Sequence, residues 1–182
     1  GTRTTLTSLK LPEGHVLKDE KGQKWILGQV IGAGLFGEVY SVVRNGPNLH
    51  LQSGILTRDQ YAIKRDLLDE QLYAEISMLS RFENWREERK LKFLGIPKYI
   101  SYGINKINGI GCPFLVMERF GDDLQKFLTK NGNRFSDKTV VNLGIQILDV
   151  LEYLHGCRRV HNDVKAKNIV VDPTCCDRLR ST

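Results

Sequence analysis

The chain has 182 residues, 41% hydrophobic and 26% charged, which is enough apolar material for one core or two small lobes and makes a soluble globular protein the expectation. Its net charge of +6 and pI near 9.2 suit an anionic partner, but the basic residues alternate with acids, as in "RFENWREERKLK", and no aromatic-studded basic stripe appears, so direct nucleic-acid binding is not expected. No charged-then-apolar leader opens the chain and no apolar run approaches the ~18 residues of a membrane span, so neither secretion nor membrane insertion is expected.

In chain order, "GTRTTLTSLKLPEG" is Thr-rich and aperiodic, and residues 1–20 read as a flexible linker. The first residue is Gly1, which suits an excised domain or an incomplete gene model. "KWILGQVIGAGLFGEVYSVVR" alternates apolar and β-branched residues about a glycine cluster and predicts two antiparallel strands joined by a turn at residues 32–37. Residues 45–60 read as a long hairpin loop, and "YAIKRD" as a third strand. Leu72, Ile76 and Leu79 recur at helical spacing and predict a helix from about Leu68 to Phe82. "GIPKYISYGI" and "GCPFLVMERF" predict two more strands with "NKINGIG" as the loop between them.

Beyond residue 120 the pattern turns helical. "DDLQKFLTK" is a short helix, and Ser136 is an N-cap for a longer one ending near His155, with Gly156 at its stop. Leu143, Ile147, Leu151 and Leu154 line one stripe of that helix. The four cysteines, Cys112, Cys157, Cys175 and Cys176, form no CxxC pair and have no zinc-type His spacing, so reduced thiols in a cytosolic or nuclear setting are expected.

Three motifs carry chemistry. "GAGLFGEV" fits G-x-G-x-x-G-x-V with Gly32, Gly34, Gly37 and Val39, where glycines let backbone N–H groups close on a polyphosphate. A dinucleotide-binding loop uses the same glycines but runs into a helix, whereas Gly37 runs into a strand pattern; a plain Gly-rich β-turn stays open on this motif alone. "YAIK" supplies Lys64, an ammonium for phosphate oxygens, and Glu75 on the following helix can pair with it. "HNDVKAKN" fits H-x-D-[LV]-x-x-x-N: Asp163 would orient a hydroxyl nucleophile and accept its proton, Lys165 would steady a γ-phosphate, and Asn168 would hold a metal ion.

Together, in this order, these motifs resemble a eukaryotic-type protein kinase domain, and "MERFGDDLQKFL", "LGIPKYISYG" and "HNDVKAKNIVV" are similar to the vaccinia-related kinases, relatives of casein kinase 1. The resemblance implies an α+β, bilobal kinase-like fold with a complete N-lobe and only the start of the helical C-lobe: N-lobe and hinge over residues 21–120, partial C-lobe over 121–173 and a divergent tail over 174–182. It puts Met117 at the gatekeeper position and Glu118 to Phe120 at the adenine-binding hinge. The implied nucleotide set is then Gly32, Gly34, Gly37, Val39, Ala62, Lys64, Glu75, Met117, Glu118 and Phe120, with ATP and Mg2+ as cofactors. Lys165, two residues past Asp163, implies serine/threonine specificity, and the group implies a protein substrate or signalling partner and a nuclear or cytoplasmic location.

The opening "TRTTLTSLKLPEG" is similar to a vertebrate member of the group regarded as a pseudokinase, but this chain keeps the glycines, Lys64, Asp163 and Asn168. Asn162 stands where many kinases carry Arg, so activation by a phosphorylated loop is not expected. After Asn168 a kinase presents D-F-G; here Asp172-Pro173 and Asp177-Arg178 lack the aromatic and glycine. A truncated, weak or inactive kinase is therefore the expectation, with a non-catalytic scaffold as the alternative. The stripe from Leu143 to Leu154 would be left uncovered, favouring a monomer prone to non-specific self-association.

Overall fold

A computed structural model describes residues 10–33, 37–45, 61–66, 69–90 and 95–171. The chain divides into two compact units, one comprising Gly1–Arg89 with Pro97–Arg119, the other Lys90–Ile96 with Phe120–Thr182.

The first unit is a six-stranded antiparallel sheet with one helix. Its strands are β1 (Val16–Lys18), β2 (Lys24–Ala33), β3 (Gly37–Asn45), β4 (Tyr61–Asp66), β5 (Tyr99–Ile107) and β6 (Ile110–Glu118), ordered β1-β2-β3-β4-β6-β5. The predicted pair about the glycines is β2 and β3, in register Gly32↔Val39 and Ala33↔Glu38, with bulges between Leu27 and Gly32 that add twist where the strand reaches the turn. Because side chains alternate, Tyr40, Val42, Ile63, Phe114 and Val116 fall on one face with Trp25 and Leu27, and form the main core.

The expected linker over residues 1–20 is corrected for its described part, residues 10–20. Val16–Lys18 pairs with Lys24–Ile26 as β1, and Leu11 and Leu17 are buried in the core. The Thr-rich composition concealed two apolar anchors that local periodicity could not weigh. A second correction concerns "NKINGIG". It is no loop, since β5 and β6 continue through it to a two-residue turn at Asn108 and Gly109, both at positive φ (52° and 81°), the conformation that Asn-Gly supplies in a tight hairpin.

The outermost strands β1 and β5 meet at a seam. Glu20 N donates to Tyr102 O at 2.9 Å, while the Asn105 side chain accepts from Lys18 N at 3.2 Å and donates to Lys18 O at 2.8 Å. Gly103 permits this approach: a Cβ there would sit 2.6 Å from the Phe114 ring and 2.9 Å from Asp19 Cα.

Helix α1 (Asp69–Arg89) contacts β4, β5 and β6 and buries Leu72, Ile76, Leu79 and Phe82. It runs past the expected end near Phe82, because "ENWREER" is rich in good helix formers and places Arg86 and Arg89 in the last turn, where cations suit the helix dipole.

The second unit holds α2 (Leu124–Lys130) and α3 (Asp137–Gly156), followed by a 3-10 turn at Ala166–Asn168. Asp123 caps α2 by accepting from Lys126 N at 2.9 Å, and Ser136 caps α3 by accepting from Thr139 N at 3.2 Å, as its position implied. The expected bare stripe on α3 is corrected. Leu154 is buried and Leu143, Ile147 and Leu151 are half-buried, whereas the adjoining face, with Val140, Val141, Ile145 and Leu148, is exposed. Counting apolar residues on a helical wheel could not tell which of two neighbouring stripes would be covered.

Candidate functional site

Within the first unit, the face of the sheet opposite the main core carries four residues of the expected nucleotide set, Val39, Ala62, Lys64 and Met117. The β3–β4 register places Val39 across from Lys64 and Ser41 across from Ala62, and the β4–β6 register places Ala62 across from Met117 and Lys64 across from Leu115. Val39, Ala62, Lys64 and Met117 therefore share a face. Ala62 is buried and the other three half-buried, so the row combines an apolar surface with one cation at its end.

Glu75 reaches that cation from α1: Lys64 Nζ stands 2.5 Å from Glu75 Oε2, with the two side chains 30% and 27% exposed. The pair is neither dry nor fully wet, so its attraction fixes the ammonium's position while leaving protons accessible to a second anion. Gly32 is the last residue but one of β2, which ends at Ala33, and Gly37 opens β3, so the two described glycines of the motif stand on either side of the connection; Gly34 lies outside the described residues. Glu118 N is already committed to Lys98 O at 3.0 Å, and Lys98 N donates to the Glu118 carboxylate at 3.3 Å. Phe120, the last residue of the hinge set, falls in the second unit and is half-buried.

In the second unit Asp163, Lys165 and Asn168 come together. Lys165 Nζ lies 2.8 Å from Asp163 Oδ2, and the Asn168 amide nitrogen donates to the same oxygen at 2.8 Å and to Asp163 O at 2.9 Å. His161, which the site reading left out although it opens the motif, takes part as well: its Nδ1 accepts from Asp163 N at 3.2 Å. The preceding Asn162 sits at φ +60°, a left-handed conformation that Asn tolerates better than most side chains. The segment then returns along α2, with Leu124 N donating to Ile169 O at 2.7 Å and Val171 N to Asp122 O at 3.1 Å. The 3-10 turn between carries Asn168 to Asp163.

The hydrogen bond from Lys165, with that from Asn168 and the attendant charges of Lys165 and His161, holds the Asp163 carboxyl below the usual carboxylate range. Asp163 is exposed and stays ionised through neutral pH, a carboxylate that accepts hydrogen bonds. Both Asn168 bonds use its amide nitrogen, which leaves Oδ1 as the oxygen a magnesium ion would take. One amide oxygen is only part of an octahedral shell. Among the described residues no group of three His, Cys, Asp or Glu could hold a metal, and Asp172 and Asp177 lie outside them.

Comparisons with known proteins fall on one family. A family model described as protein kinase domain matches residues 25–177. The serine/threonine-protein kinase VRK2 of Homo sapiens is 38% identical over 165 residues, covering 90% of this chain and 32% of VRK2. Nucleosomal histone kinase 1 of Drosophila melanogaster is 34% identical over 89% of this chain and 27% of its own length. The B1 kinase of vaccinia virus (strain Ankara) is 30% identical over 88% of this chain and 51% of its own. A solved structure of vaccinia related kinase 3 superposes with a TM-score of 0.72 at 28% identity, covering 92% of this chain and 50% of that one. The chain thus spans about half, or less, of the length of these relatives.

Proposed function

The chain belongs to the protein kinase domain family and is similar within it to the vaccinia-related serine/threonine kinases; from that premise we propose that it binds ATP with magnesium and supplies the nucleotide-binding and catalytic-loop parts of a serine/threonine protein kinase. The observation that carries this reading is the Lys64–Glu75 pair at 2.5 Å, set in one cross-sheet row with Val39. Glycine-turn amides and the Lys64 ammonium would meet phosphate oxygens, and Val39, Ala62 and Met117 would offer the apolar bed for adenine; by family resemblance Glu118 and Phe120 belong to the same proposed nucleotide set.

In the whole protein the reaction is phosphoryl transfer from ATP to a Ser or Thr hydroxyl of a protein. The hydroxyl oxygen bonds to the γ-phosphorus, the bond from that phosphorus to the β–γ bridging oxygen breaks, ADP departs, and the hydroxyl proton passes to Asp163. Lys165 would steady the γ-phosphate and Asn168 would contribute one magnesium ligand. Magnesium, when bound, neutralises charge on the transferring phosphates. The name of the Drosophila relative makes histone the first substrate to assay, and a nuclear or cytoplasmic site of action is part of the same proposal.

Titration with a fluorescent ATP analogue in magnesium buffer tests the reading. Binding should be saturable, and Lys64→Met should weaken it about tenfold or more by leaving phosphate charge unpaired. Equal affinity for parent and variant would remove the basis of the proposal.

A further inference from the structure

Behind the nucleotide row, on the core face of the same strands, lies a polar group that the functional reading does not use. Glu38 follows Gly37 directly, and Tyr40 comes two residues later on the same face; both are buried, Tyr40 completely. The Tyr40 hydroxyl donates to Glu38 Oε2 and accepts from Leu11 N at 3.1 Å. Arg65, also buried, lies directly across from Glu38 in the β3–β4 register and next in sequence to Lys64.

An ionisable carboxylate at the edge of a core is costly unless its hydrogen bonds are made, and an apolar side chain at position 38 would serve packing better. What this arrangement adds is a connection. One hydroxyl joins the segment ahead of β1 to the residue that leaves the glycine turn, in the register that sets Val39 against Lys64. Burial, then the bond to Glu38, raises the Tyr40 hydroxyl's pKa, so it stays a donor across the working range.

We propose that Tyr40 is a positioning residue that ties the Leu11 segment to the start of β3, so that the grip of the glycine turn and Lys64 on a nucleotide's phosphates depends on that segment being docked. The proposal rests on the functional reading above. Without the hydroxyl, Leu11 N and the Glu38 carboxylate lose their shared partner inside the core, and the cheapest relief is for the start of β3 to move toward water. That displaces the amides of Gly37 to Val39, which the proposed site needs held still.

The test compares parent, Tyr40→Phe, Val42→Ala and Lys64→Met for affinity toward the fluorescent ATP analogue with magnesium, for melting temperature, and for amide exchange at residues 37–39. Val42→Ala opens the same core on the same strand and should lower the melting temperature with affinity unchanged. Tyr40→Phe should lose about three- to tenfold in affinity, the weight of one buried hydrogen bond, with faster exchange at residues 37–39. If Tyr40→Phe binds and exchanges as the parent does, or changes affinity no more than Val42→Ala, the tie is merely structural and the proposal falls. If the parent binds no nucleotide, or Lys64→Met binds as well as the parent, the functional reading fails and takes the claim about phosphates with it; the exchange rates still show whether Tyr40 holds β3. Should Tyr40→Phe not fold, Glu38→Gln weakens the same bond from its other end, and the same directions are expected.

Discussion

Asp19 keeps a charge where burial works against it. Burial pushes its carboxyl up, but hydrogen bonds from Trp25 Nε1, Gln23 N and Lys21 N outweigh that and bring it below the ordinary carboxylate value. A lowered folded-state value means stability that is fully present above the unfolded value of ~3.9 and is lost as pH falls through the folded one. Asp19→Asn should cost about 1–3 kcal/mol at pH 7, because an amide has one oxygen and cannot accept all three bonds as the carboxylate does. Melting temperatures of the two proteins should differ by a constant amount from pH 5 to 8 and converge below about pH 4; a gap that widens in acid would contradict the assignment. Residues of this kind were silent in the sequence, whereas Lys64, Asp163 and Asn168 stood out there as candidates. The latter are functional groups at fixed intervals from glycines and from each other. Asp19 and Tyr40 owe their roles to Trp25 and Leu11, partners brought close by the fold.

At the level of elements, the strands about the glycines, the cap at Ser136 and the helix carrying Glu75 could all be read, because alternation, capping chemistry and helical spacing are local signals. Strand β1 could not, being three residues long and recognisable only by what it pairs with. Helix α3 offers a measurable consequence. Gly144 lies in its interior, and a Cβ added there would meet nothing within 4 Å. Gly144→Ala should therefore stabilise this chain by about 0.5–1 kcal/mol, through helix propensity and the entropy of the unfolded chain. Denaturant unfolding would show it as a higher midpoint at unchanged slope, and a lower midpoint would mean that a neighbour occupies that surface.

For the molecule as a whole, the exposed side of α3 departs from an ordinary soluble surface: Val140, Val141, Ile145 and Leu148 are 53–66% exposed along one face. Such a patch should bind a hydrophobic dye and promote self-association. Leu148→Lys should reduce both without lowering the melting temperature, since that side chain packs against little; dye binding equal to the parent's would place the apolar surface elsewhere. Composition announced the amount of apolar material but not its allocation, which depends on packing between elements distant in sequence. The seam at Asn105 works in the opposite direction. A side-chain amide carries one donor and one acceptor, as a peptide group does, and here it takes the place of a missing rung between the first and last strands. Open sheets present rows of unpaired backbone groups that recruit strands from other molecules. At this point of the seam the asparagine occupies backbone groups that a foreign strand would otherwise copy, a local guard against edge-to-edge, fibrillar growth.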